Sequence, residues 1–492
     1  MLQQYFIQKN DYRRFGYIML NKLFMNKDVF YRRFMPFTIS LALFMEAVDT
    51  TVINTAIPVM AKNLHVGPID LKIALISYLM SLAIFIPISG WVADKFGVKR
   101  VFIAALGLFI FSSFWCGFAT TLWELVLART LQGVGGSLMT PVGRLIVARF
   151  FERHELINIM GRMVMVAAIG MMLGPAIGGY ITYHFSWRWI FWINIPVGLF
   201  AMLMASFSII DIKPQKVHKL DTMGFILFGL GLAGLSFSLS ALSQSAINNA
   251  WVFFILCCAT LSLILYAAHS RHKANPIVNT KLFQFRTFQI SAMGNIFSRA
   301  SFSGLPFLLP LFMQVGFGYS PQLSGLLLAP TAFGVLLIKP FSFSILQAMG
   351  YKRLLILNTL FIGLMLWSLI FINAETPIYY VGFFTFMYGL CMALQYTCMN
   401  SLAYAEIPIE YFSSSTSLMS TIQQVSLSFG VALAAFLLYF FSESNTHEHL
   451  KPSVFHDAFF GMGLLTILSL CIFIRLSPTD GQQMIRKEIN QM

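Results

Sequence analysis

Charged residues are scarce in this sequence. Asp, Glu, Lys and Arg together make up 11% of its 492 residues, whereas soluble domains carry roughly 25%. A soluble protein needs polar side chains to cover its core, so this shortage excludes a soluble enzyme, a disordered chain and a nucleic-acid-binding protein. Hydrophobic residues instead reach 58%, and the mean hydropathy is +0.74. The composition therefore indicates a polytopic membrane protein whose spans are helices.

Cysteine is also rare, and every copy lies within an apolar run. The six are Cys116, Cys257, Cys258, Cys391, Cys398 and Cys471. This placement argues against a disulfide framework and against a metal site. The sequence also lacks the nucleotide-binding pattern G-x-x-x-x-G-K-[ST] and any evident pair of nucleophile and base. We therefore expect no ATP-driven transport by this chain alone, no enzymatic activity, and no cofactor or metal.

Long apolar runs are what the sequence has in abundance. Each is long enough to cross the roughly 30 Å hydrocarbon core of a bilayer as a helix. We predict fourteen spans, near residues 35–61, 70–92, 99–119, 122–148, 156–182, 188–210, 221–243, 250–268, 288–315, 322–346, 353–373, 377–404, 414–441 and 457–475. An even number of spans places both termini on the same side of the membrane.

Lys and Arg are distributed unequally between the predicted loops. With the N-terminus inside, the cytoplasmic segments hold 24 Lys and Arg, and the outer loops hold two, Lys62 and Lys451. Basic residues collect in cytoplasmic loops, so this bias places both termini in the cytoplasm. It also supports the even count, because one missed span would invert every later loop. We expect a multi-pass protein of a bacterial inner membrane.

The loop after the second predicted span carries a long motif. Residues 90–100 read GWVADKFGVKR. This run resembles the loop signature of the major facilitator superfamily, G-x-x-x-D-[RK]-x-G-[RK]-[RK]. The resemblance implies a conformational latch rather than a substrate site, formed by Gly90, Asp94, Gly97, Lys99 and Arg100. The corresponding run in the second half, residues 347–353, reads QAMGYKR and has no Asp, so we expect a weaker second latch.

Four more runs narrow the resemblance to a subfamily. Residues 48–58 read VDTTVINTAIP, residues 127–136 read LARTLQGVGG, residues 170–179 read GMMLGPAIGG and residues 187–198 read WRWIFWINIPVG. The first three are similar to motifs of drug/proton antiporters. The fourth is similar to a run of the fourteen-helix members of the EmrB/QacA type. Within that subfamily the chain resembles the MdtD-type multidrug transporters.

The run at 170–179 is the most informative of these. It resembles the antiporter motif G-x-x-x-G-P-x-x-G-G, whose positions are filled here by Gly170, Gly174, Pro175, Gly178 and Gly179. Small residues four apart let neighbouring helices approach closely, and a proline bends the helix that contains it. We therefore expect this span to pack tightly against its neighbours.

The resemblance implies an all-helical major facilitator fold with two six-helix bundles and two additional linking helices. The corresponding segments are a basic N-terminal arm (1–33), the first bundle (34–211), the linking helices and loops (212–287), the second bundle (288–476) and a cytoplasmic tail (477–492). Each bundle would contain inverted repeats, with the substrate site between the bundles near the middle of the membrane.

Two acidic residues lie well inside a span. Glu46 and Asp49 are three residues apart, so they share one face of the first helix. Two neighbouring carboxylates in a low-dielectric setting disfavour the doubly charged state, so at least one is expected to take up a proton. We therefore predict that they couple transport to protons. The resemblance adds Arg129 as a relay or charge partner. In the alternative interpretation, a permanent pair between Asp49 and Arg129 only locks two helices together.

Arg299 lies about eleven residues into its span, roughly 16 Å from its end, which is the middle of the bilayer. An arginine there suits a carboxylate or phosphate, and so predicts an anionic substrate. The alternative partner is a backbone carbonyl freed by Pro306 or Pro310. The other polar residues predicted to contact substrate are Asn54, Gln132, Asn295, Gln314, Gln395 and Asn400.

The function predicted from these features is proton-coupled export of drugs or amphipathic molecules by alternating access. The first alternative, based on Arg299, is export of an anionic metabolite such as an organic acid or a siderophore. The second is a membrane sensor that transports nothing, which the latch and antiporter motifs disfavour. The predicted partners are the substrate, protons and the lipid bilayer. A periplasmic adaptor occurs with some members of the subfamily, but no residue of this sequence marks a docking surface for one.

Overall fold

The computed structural model describes residues 27–210, 219–242, 249–442 and 450–481. The basic arm up to residue 26 and the tail beyond residue 481 lie outside the described residues, so the predictions for those segments stay predictions. The described ranges consist mainly of helices, as the sequence predicts.

The first half contains nine helices, numbered here in chain order. They are α1 (Lys27–Val52), α2 (Ile57–Asn63), α3 (Lys72–Phe85), α4 (Ser89–Phe96), α5 (Val98–Phe118), α6 (Leu122–Phe150), α7 (Arg153–His184), α8 (Trp189–Trp192) and α9 (Asn194–Ser208). Two more helices follow, α10 (Thr222–Ala241) and α11 (Asn249–His272). Short 3₁₀ turns at Ile53–Thr55 and Ile86–Ile88 continue α1 and α3.

The second half contains the remaining eight helices. They are α12 (Arg286–Gly294), α13 (Ala300–Phe302), α14 (Leu305–Leu311), α15 (Pro321–Ser368), α16 (Ile378–Ala403), α17 (Phe412–Phe441), α18 (Pro452–Leu468) and α19 (Leu470–Ile474). The segments Asn295–Arg299 and Phe312–Gly316 are π-helical, and Thr280–Gln284, Leu369–Phe371 and Ile409–Tyr411 form 3₁₀ turns.

Local sequence signals set several helix starts. Thr121 caps α6, because its side chain accepts a hydrogen bond from the backbone N–H of Glu124, and the Glu124 carboxylate accepts one in return from the backbone of Thr121. Asp221 caps α10 in the same way by accepting from the backbone N–H of Gly224 at 3.1 Å. Each cap satisfies backbone donors that the first helical turn leaves unpaired.

Twelve helical stretches of the described chain are long and apolar enough to cross a membrane. They cover every predicted span except 122–148. That segment is a continuous 29-residue helix, α6, whose four charged residues make it less apolar. The predicted spans 322–346 and 353–373 are not separated by a loop, because the helix runs from Pro321 to Phe371 and only its backbone at Gly350 is non-helical, with φ 72° and ψ 163°.

The two halves meet along two helix pairs, and their contact is uneven. Helix α7 packs against α15, and α3 packs against α17. At the end of the molecule that contains Ile57 and Leu308, the joined end, one apolar cluster takes buried residues from both halves. At the end that contains Phe102 and Leu355, the split end, each half has a separate cluster. The halves therefore share one buried apolar cluster at the joined end and have separate clusters at the split end.

The two linking helices pack against each other and against both halves. Helix α10 contacts α11, α3 and α17. Helices α3 and α17 form one of the two contacts between the halves, so α10 lies beside that seam. Many of the large side chains on α10 and α11 are exposed, for example Leu230, Trp251 and Phe253, which suits helices that face lipid.

Candidate functional site

A buried ion pair joins the first and fourth long helices of the first half. Arg129 on α6 donates a hydrogen bond from Nη1 to Oδ2 of Asp49 on α1 at 2.6 Å. The side chains are 1% and 0% exposed, respectively. Removing two charges from water costs several kcal/mol for each ion, and the geometry must offset that cost with further hydrogen bonds.

Three polar side chains provide those hydrogen bonds. Gln132 donates to Oδ1 of Asp49 at 2.9 Å and accepts from Arg129 at 2.6 Å. Asn194, at the start of α9, donates to the same Oδ1 at 2.8 Å. Ser113 on α5 accepts a hydrogen bond from Gln132 at 2.8 Å. Four helices thus hold one carboxylate in place.

Sequence reasoning missed Asn194 and Ser113 as parts of this cluster. Asn194 stands in the run at 187–198, where a polar residue between apolar ones was the available signal. Ser113 gives no such signal, because serine is common in membrane helices and often bonds to its own backbone, as Ser113's neighbour Ser112 does with Leu108. Gln132 was predicted to contact substrate, but its amide is engaged within the Asp49 cluster.

An aromatic ring completes the surroundings of Arg129. Its guanidinium carbon lies 4.1 Å from the ring centroid of Tyr78 on α3, and 5.8 Å from that of Phe191. A cation over a desolvated aromatic face is stabilised by about 2 kcal/mol. The Tyr78 side chain is buried, and its hydroxyl has no hydrogen-bond partner. No motif or spacing distinguishes Tyr78 among the 17 tyrosines of the chain.

Glu46 occupies a different setting from Asp49, although both side chains face α6. Its Oε2 accepts a hydrogen bond from Thr140 at 2.5 Å, and the residue is half-buried. Arg144, one turn further along α6, is exposed. Asp49 is therefore enclosed, whereas Glu46 lies nearer the split end with a cation close to it.

The second half holds a buried arginine of another kind. Arg299 ends the π-helical segment Asn295–Arg299 and is 5% exposed. Its guanidinium carbon lies 3.5 Å from the ring centroid of Tyr396 on α16. Within the described residues no carboxylate lies within ion-pair distance of Arg299, and no carbonyl accepts a hydrogen bond from its side chain; its Nε, like that of Arg129, has no partner there. The predicted pairing with a carbonyl near Pro306 or Pro310 is therefore not seen.

The other predicted polar residues fall into three groups. Asn295 is buried, and its Oδ1 has no hydrogen-bond partner. Gln395 and Asn400 bond to neighbours in their own half, Gln395 to Thr359 at 2.8 Å and Asn400 to Gln423 at 2.9 Å.

Two of the predicted polar residues lie near the joined end. Gln314 donates to the backbone carbonyl of Thr55 at 2.9 Å and so bridges the halves. Asn54 is adjacent in sequence to Thr55, is 7% exposed, and its Oδ1 has no partner. These contacts place Gln314 at the closed seam between the halves.

The latch loop is tied to the end of the fourth long helix. Arg149 donates a hydrogen bond to Asp94. Gly97 makes the turn between α4 and α5 with φ 93° and ψ 134°, a conformation that other residues rarely adopt. Lys99 donates to the carbonyl of Ser206 at 2.7 Å. Gly90 has open space around it, and Arg100 follows in the first turn of α5.

The small residues of the antiporter motif pack where helices approach most closely. A Cβ on Gly170 would lie 2.7 Å from the carbonyl oxygen of Phe44, and Cβ atoms on Gly174 and Gly178 would overlap α1 as well. Gly179 instead faces Pro321 of the second half. The hydroxyl of Thr55 donates to the carbonyl of Pro175 at 3.4 Å.

A large groove of the described chain lies away from these residues. This groove, of about 1080 Å³, runs along the outside of the second half between α12, α17 and α18, next to the end of α10. Apolar side chains such as Phe297 and Phe436 line most of it. None of the predicted site residues lines this groove, so its size does not make it the substrate site.

Comparisons with known proteins agree with this architecture. The model of the Major Facilitator Superfamily matches residues 39–270 and 291–488. The chain is 36% identical over 445 residues to HsrA of Haemophilus influenzae, named as a probable transport protein, with 90% of this chain and 96% of HsrA covered. It is 34% identical over 455 residues to MdtD of Escherichia coli, whose name proposes a role in multidrug resistance, with 92% and 96% covered.

Solved structures share the fold at low sequence identity. A D-xylose–proton symporter superposes with a TM-score of 0.64 at 14% identity, covering 92% of this chain and 99% of the symporter. A bacterial homologue of the lysosomal transporter Spinster, captured inward-facing and unoccupied, superposes with a TM-score of 0.61 at 14% identity, covering 90% and 95%. The predicted resemblance is thereby confirmed, and the chain belongs to the major facilitator superfamily of membrane transporters.

Proposed function

We propose that this transporter exports amphipathic small molecules, drugs among them, across a bacterial inner membrane in exchange for protons. The observation that carries the proposal is the Asp49 carboxylate, fully buried within a membrane-spanning helix and held by one cation, Arg129. An intramembrane carboxylate is costly to retain, and proton relays are a main reason for finding one.

Protonation of Asp49 changes this cluster in a defined way. When a proton binds a carboxylate oxygen, an O–H bond forms and the ion pair with Arg129 loses its negative partner. The attraction that holds α1 against α6 then falls, and release of the proton on the other side restores it. Glu46 supports this step, because it lies between Asp49 and the split end and is within reach of water there.

We propose fourteen membrane crossings with both termini in the cytoplasm. The twelve apolar stretches become fourteen when α6 is counted and when the run from Pro321 to Phe371 is divided at Gly350. The excess of basic residues on the latch side supports a cytoplasmic split end and a periplasmic joined end. The boundaries at residues 34, 212, 288 and 477 then separate the arm, the bundles, the linking helices and the tail.

The joined and split ends support one state of an alternating-access cycle, open to the cytoplasm. The halves contact each other where Gln314 bridges to Thr55 and where Gly179 meets Pro321. On the side of the latch loop their apolar clusters are separate, so we propose that a substrate from the cytoplasm enters there. In the opposite state, the latch around Asp94 would close the cytoplasmic side, and the tight joined end would separate.

The substitution Asp49→Asn tests the proposal. It keeps the size of the side chain and its hydrogen bonds to Gln132 and Asn194 but cannot bind a proton. In proteoliposomes we expect export driven by a pH gradient to fall at least 100-fold, while exchange of labelled substrate at equal pH stays within about threefold, since a charge effect of roughly 2.7 kcal/mol on the coupled step corresponds to that loss. The matched control is Glu375→Gln, in an exposed loop.

Two results would contradict this proposal in different ways. Export by Asp49→Asn that still follows the pH gradient would show that another group carries the proton. Loss of exchange at equal pH together with a lower unfolding temperature would favour the alternative in which Asp49 and Arg129 only lock two helices.

A further inference from the structure

Arg299 is a charge without a counter-charge. Among the described residues, the other arginine that is buried as deeply is Arg129, and its positive charge is neutralised by Asp49 at 2.6 Å. Arg299 is 5% exposed, and among the described residues the ionisable side chain in contact with it is Tyr396. Because a lone cation in the middle of a bilayer is costly, its retention calls for a functional explanation.

The turn that carries Arg299 also leaves polar atoms unpaired. In the π-helical segment Asn295–Arg299, three buried polar atoms have no partner: Oδ1 of Asn295, Oγ of Ser298 and Nε of Arg299. Buried polar groups are nearly always hydrogen-bonded, so three in one turn indicate a site that a ligand or its water completes. Single π-turns inside longer helices frequently occur at functional sites.

The stacking geometry leaves the hydrogen-bonding edge of Arg299 available. Tyr396 covers the face of the guanidinium at 3.5 Å, and Phe302 stacks on Tyr396 with 5.7 Å between ring centroids. The N–H donors of a guanidinium point outward in its plane rather than from its face. A stacked arginine therefore keeps the two parallel donors that bind a carboxylate in bidentate fashion.

We propose that Arg299 and Tyr396 form the binding site for the carboxylate of an exported amphipathic organic anion. This inference rests on the proposed function and narrows its substrate class. A carboxylate carries one negative charge, which one arginine neutralises. A phosphate dianion would leave a second charge unpaired in this part of the described structure. An organic cation would be repelled by Arg299. The aromatic pair beside the arginine suits the apolar portion of such a molecule.

The test compares a carboxylate with its uncharged analogue of nearly the same shape. Pyrenebutyrate and its methyl ester are offered to purified transporter in proteoliposomes, with ethidium as the cationic probe. Binding is measured by the quenching of tryptophan fluorescence, which needs no proton coupling, and transport is measured by exchange at equal pH and by export under a pH gradient. The variants are Arg299→Gln and Arg299→Lys, and the matched control is Arg271→Gln, at the exposed end of α11.

We expect the wild type to bind pyrenebutyrate at least tenfold more tightly than its ester. Arg299→Gln should remove that preference, Arg299→Lys should retain part of it because it keeps the charge without the bidentate fork, and Arg271→Gln should keep it in full. The Lys variant also serves as a control for folding. Both variants lose the stacking on Tyr396 to a comparable degree, so a folding defect caused by that loss would affect both of them.

Three outcomes overturn the inference without being confused with failure of proton-coupled export. Binding of pyrenebutyrate by Arg299→Gln within twofold of wild type would assign Arg299 a structural role only. Equal binding of acid and ester by the wild type would remove the carboxylate requirement. Transport of ethidium alone would make the substrate a cation. If binding behaves as expected but export ignores the pH gradient, the anion site stands and the proton coupling of the previous section is wrong.

Discussion

In both halves of the transporter, an arginine and the side chain that contacts it lie on corresponding helices. The halves differ in whether the charge of that arginine is neutralised. In the first half, Asp49 lies on the first long helix and Arg129 on the fourth, and the two neutralise each other. In the second half, Arg299 lies on the first and Tyr396 on the fourth, and the arginine has only an aromatic face. A neutralised ion pair is stable without a ligand, whereas an unpaired cation is stabilised when a ligand binds to it.

This difference suggests a division of labour between the halves. The first half has an acid that can be neutralised by a proton, and both oxygens of its carboxylate accept hydrogen bonds, while Nε of Arg129 has no partner in the described structure. The second half has a cation that a substrate can neutralise, and polar atoms around it lack hydrogen-bond partners in the described structure. The proton and the substrate would then bind to different halves. They would compete through the movement of the two halves relative to each other, and not for a single residue.

The loops of the two halves show the same backbone with different side chains. Gly97 and Gly350 both have a positive φ, 93° and 72°, at the turn after the second long helix of each half. Asp94 precedes Gly97 by three residues and accepts a hydrogen bond from Arg149, whereas Gln347 stands at the corresponding place before Gly350. The turn is thus shared, and the ion pair belongs to the first half alone.

The largest predicted effect comes from removing each arginine in turn. Arg129→Gln leaves the Asp49 carboxylate buried without a cation, so the free energy of unfolding should fall by about 3–5 kcal/mol. Arg299→Gln removes a cation that has no partner, so the free energy of unfolding should stay unchanged or rise. Thermal unfolding in detergent measures both.

The double variant Asp49→Asn/Arg129→Gln serves as the control for this comparison. Because it removes both charges, it should recover most of the stability that Arg129→Gln loses. Equal destabilisation by Arg129→Gln and Arg299→Gln would show that the two halves do not differ in the way described.

A second prediction concerns the seam between the halves. Gly179→Ala places a methyl group against the backbone of Pro321, so the joined end cannot close, and we expect transport to fall at least tenfold. Gly382→Ala on α16 is the matched change, because a Cβ there meets nothing within 4 Å. It should leave transport intact. Uptake into proteoliposomes and labelling of cysteines introduced at the joined end give the two readouts.

A third prediction tests whether the shared turn is equally important in both halves. Gly97→Ala and Gly350→Ala each force a side chain into a positive φ, which costs about 1–2 kcal/mol. We expect similar losses of stability on thermal unfolding in detergent. Gly161→Ala, in the middle of α7 with open space around it, is the control and should not destabilise. A loss confined to Gly97→Ala would mean that only the first turn is under constraint.

The smallest expected effect on stability is that of the latch carboxylate. Asp94 and Arg149 are 32% and 23% exposed, so Asp94→Asn should change the free energy of unfolding by less than about 1 kcal/mol. Transport should nevertheless slow at least threefold if the pair governs closure of the split end. Gln347→Asn makes the same residue at the corresponding site of the second half and should have no effect on either measurement.

Much of the fold was predictable because the bilayer restricts the choices. Apolar runs of sufficient length gave the positions of the spans, and the run at 170–179 predicted close packing that Gly170 and Gly174 show. The division of the run from Pro321 to Phe371 was less predictable. Its backbone turns at Gly350 within continuous helical structure, so hydrophobicity located the two spans but not the form of their junction.

The candidate site was predictable only in part. Asp49, Glu46, Arg129 and Arg299 stand out because charges are rare in membrane helices. Asn194 and Ser113 do not, since their importance depends on which side chain they face. The sequence also predicts Gln395 as a substrate contact, and this stays a prediction; in the structure its amide bonds to Thr359 and Asn358.

The sequence by itself determined that this chain spans a membrane and which few charges lie within its spans, because both follow from the cost of placing a residue in hydrocarbon. Only the tertiary structure decided that Asp49 is paired, that Arg299 has no counter-charge among the described residues, and that the halves share an apolar cluster at one end and have separate clusters at the other. Those facts depend on distances between helices far apart in the chain, and no local pattern of residues encodes such distances.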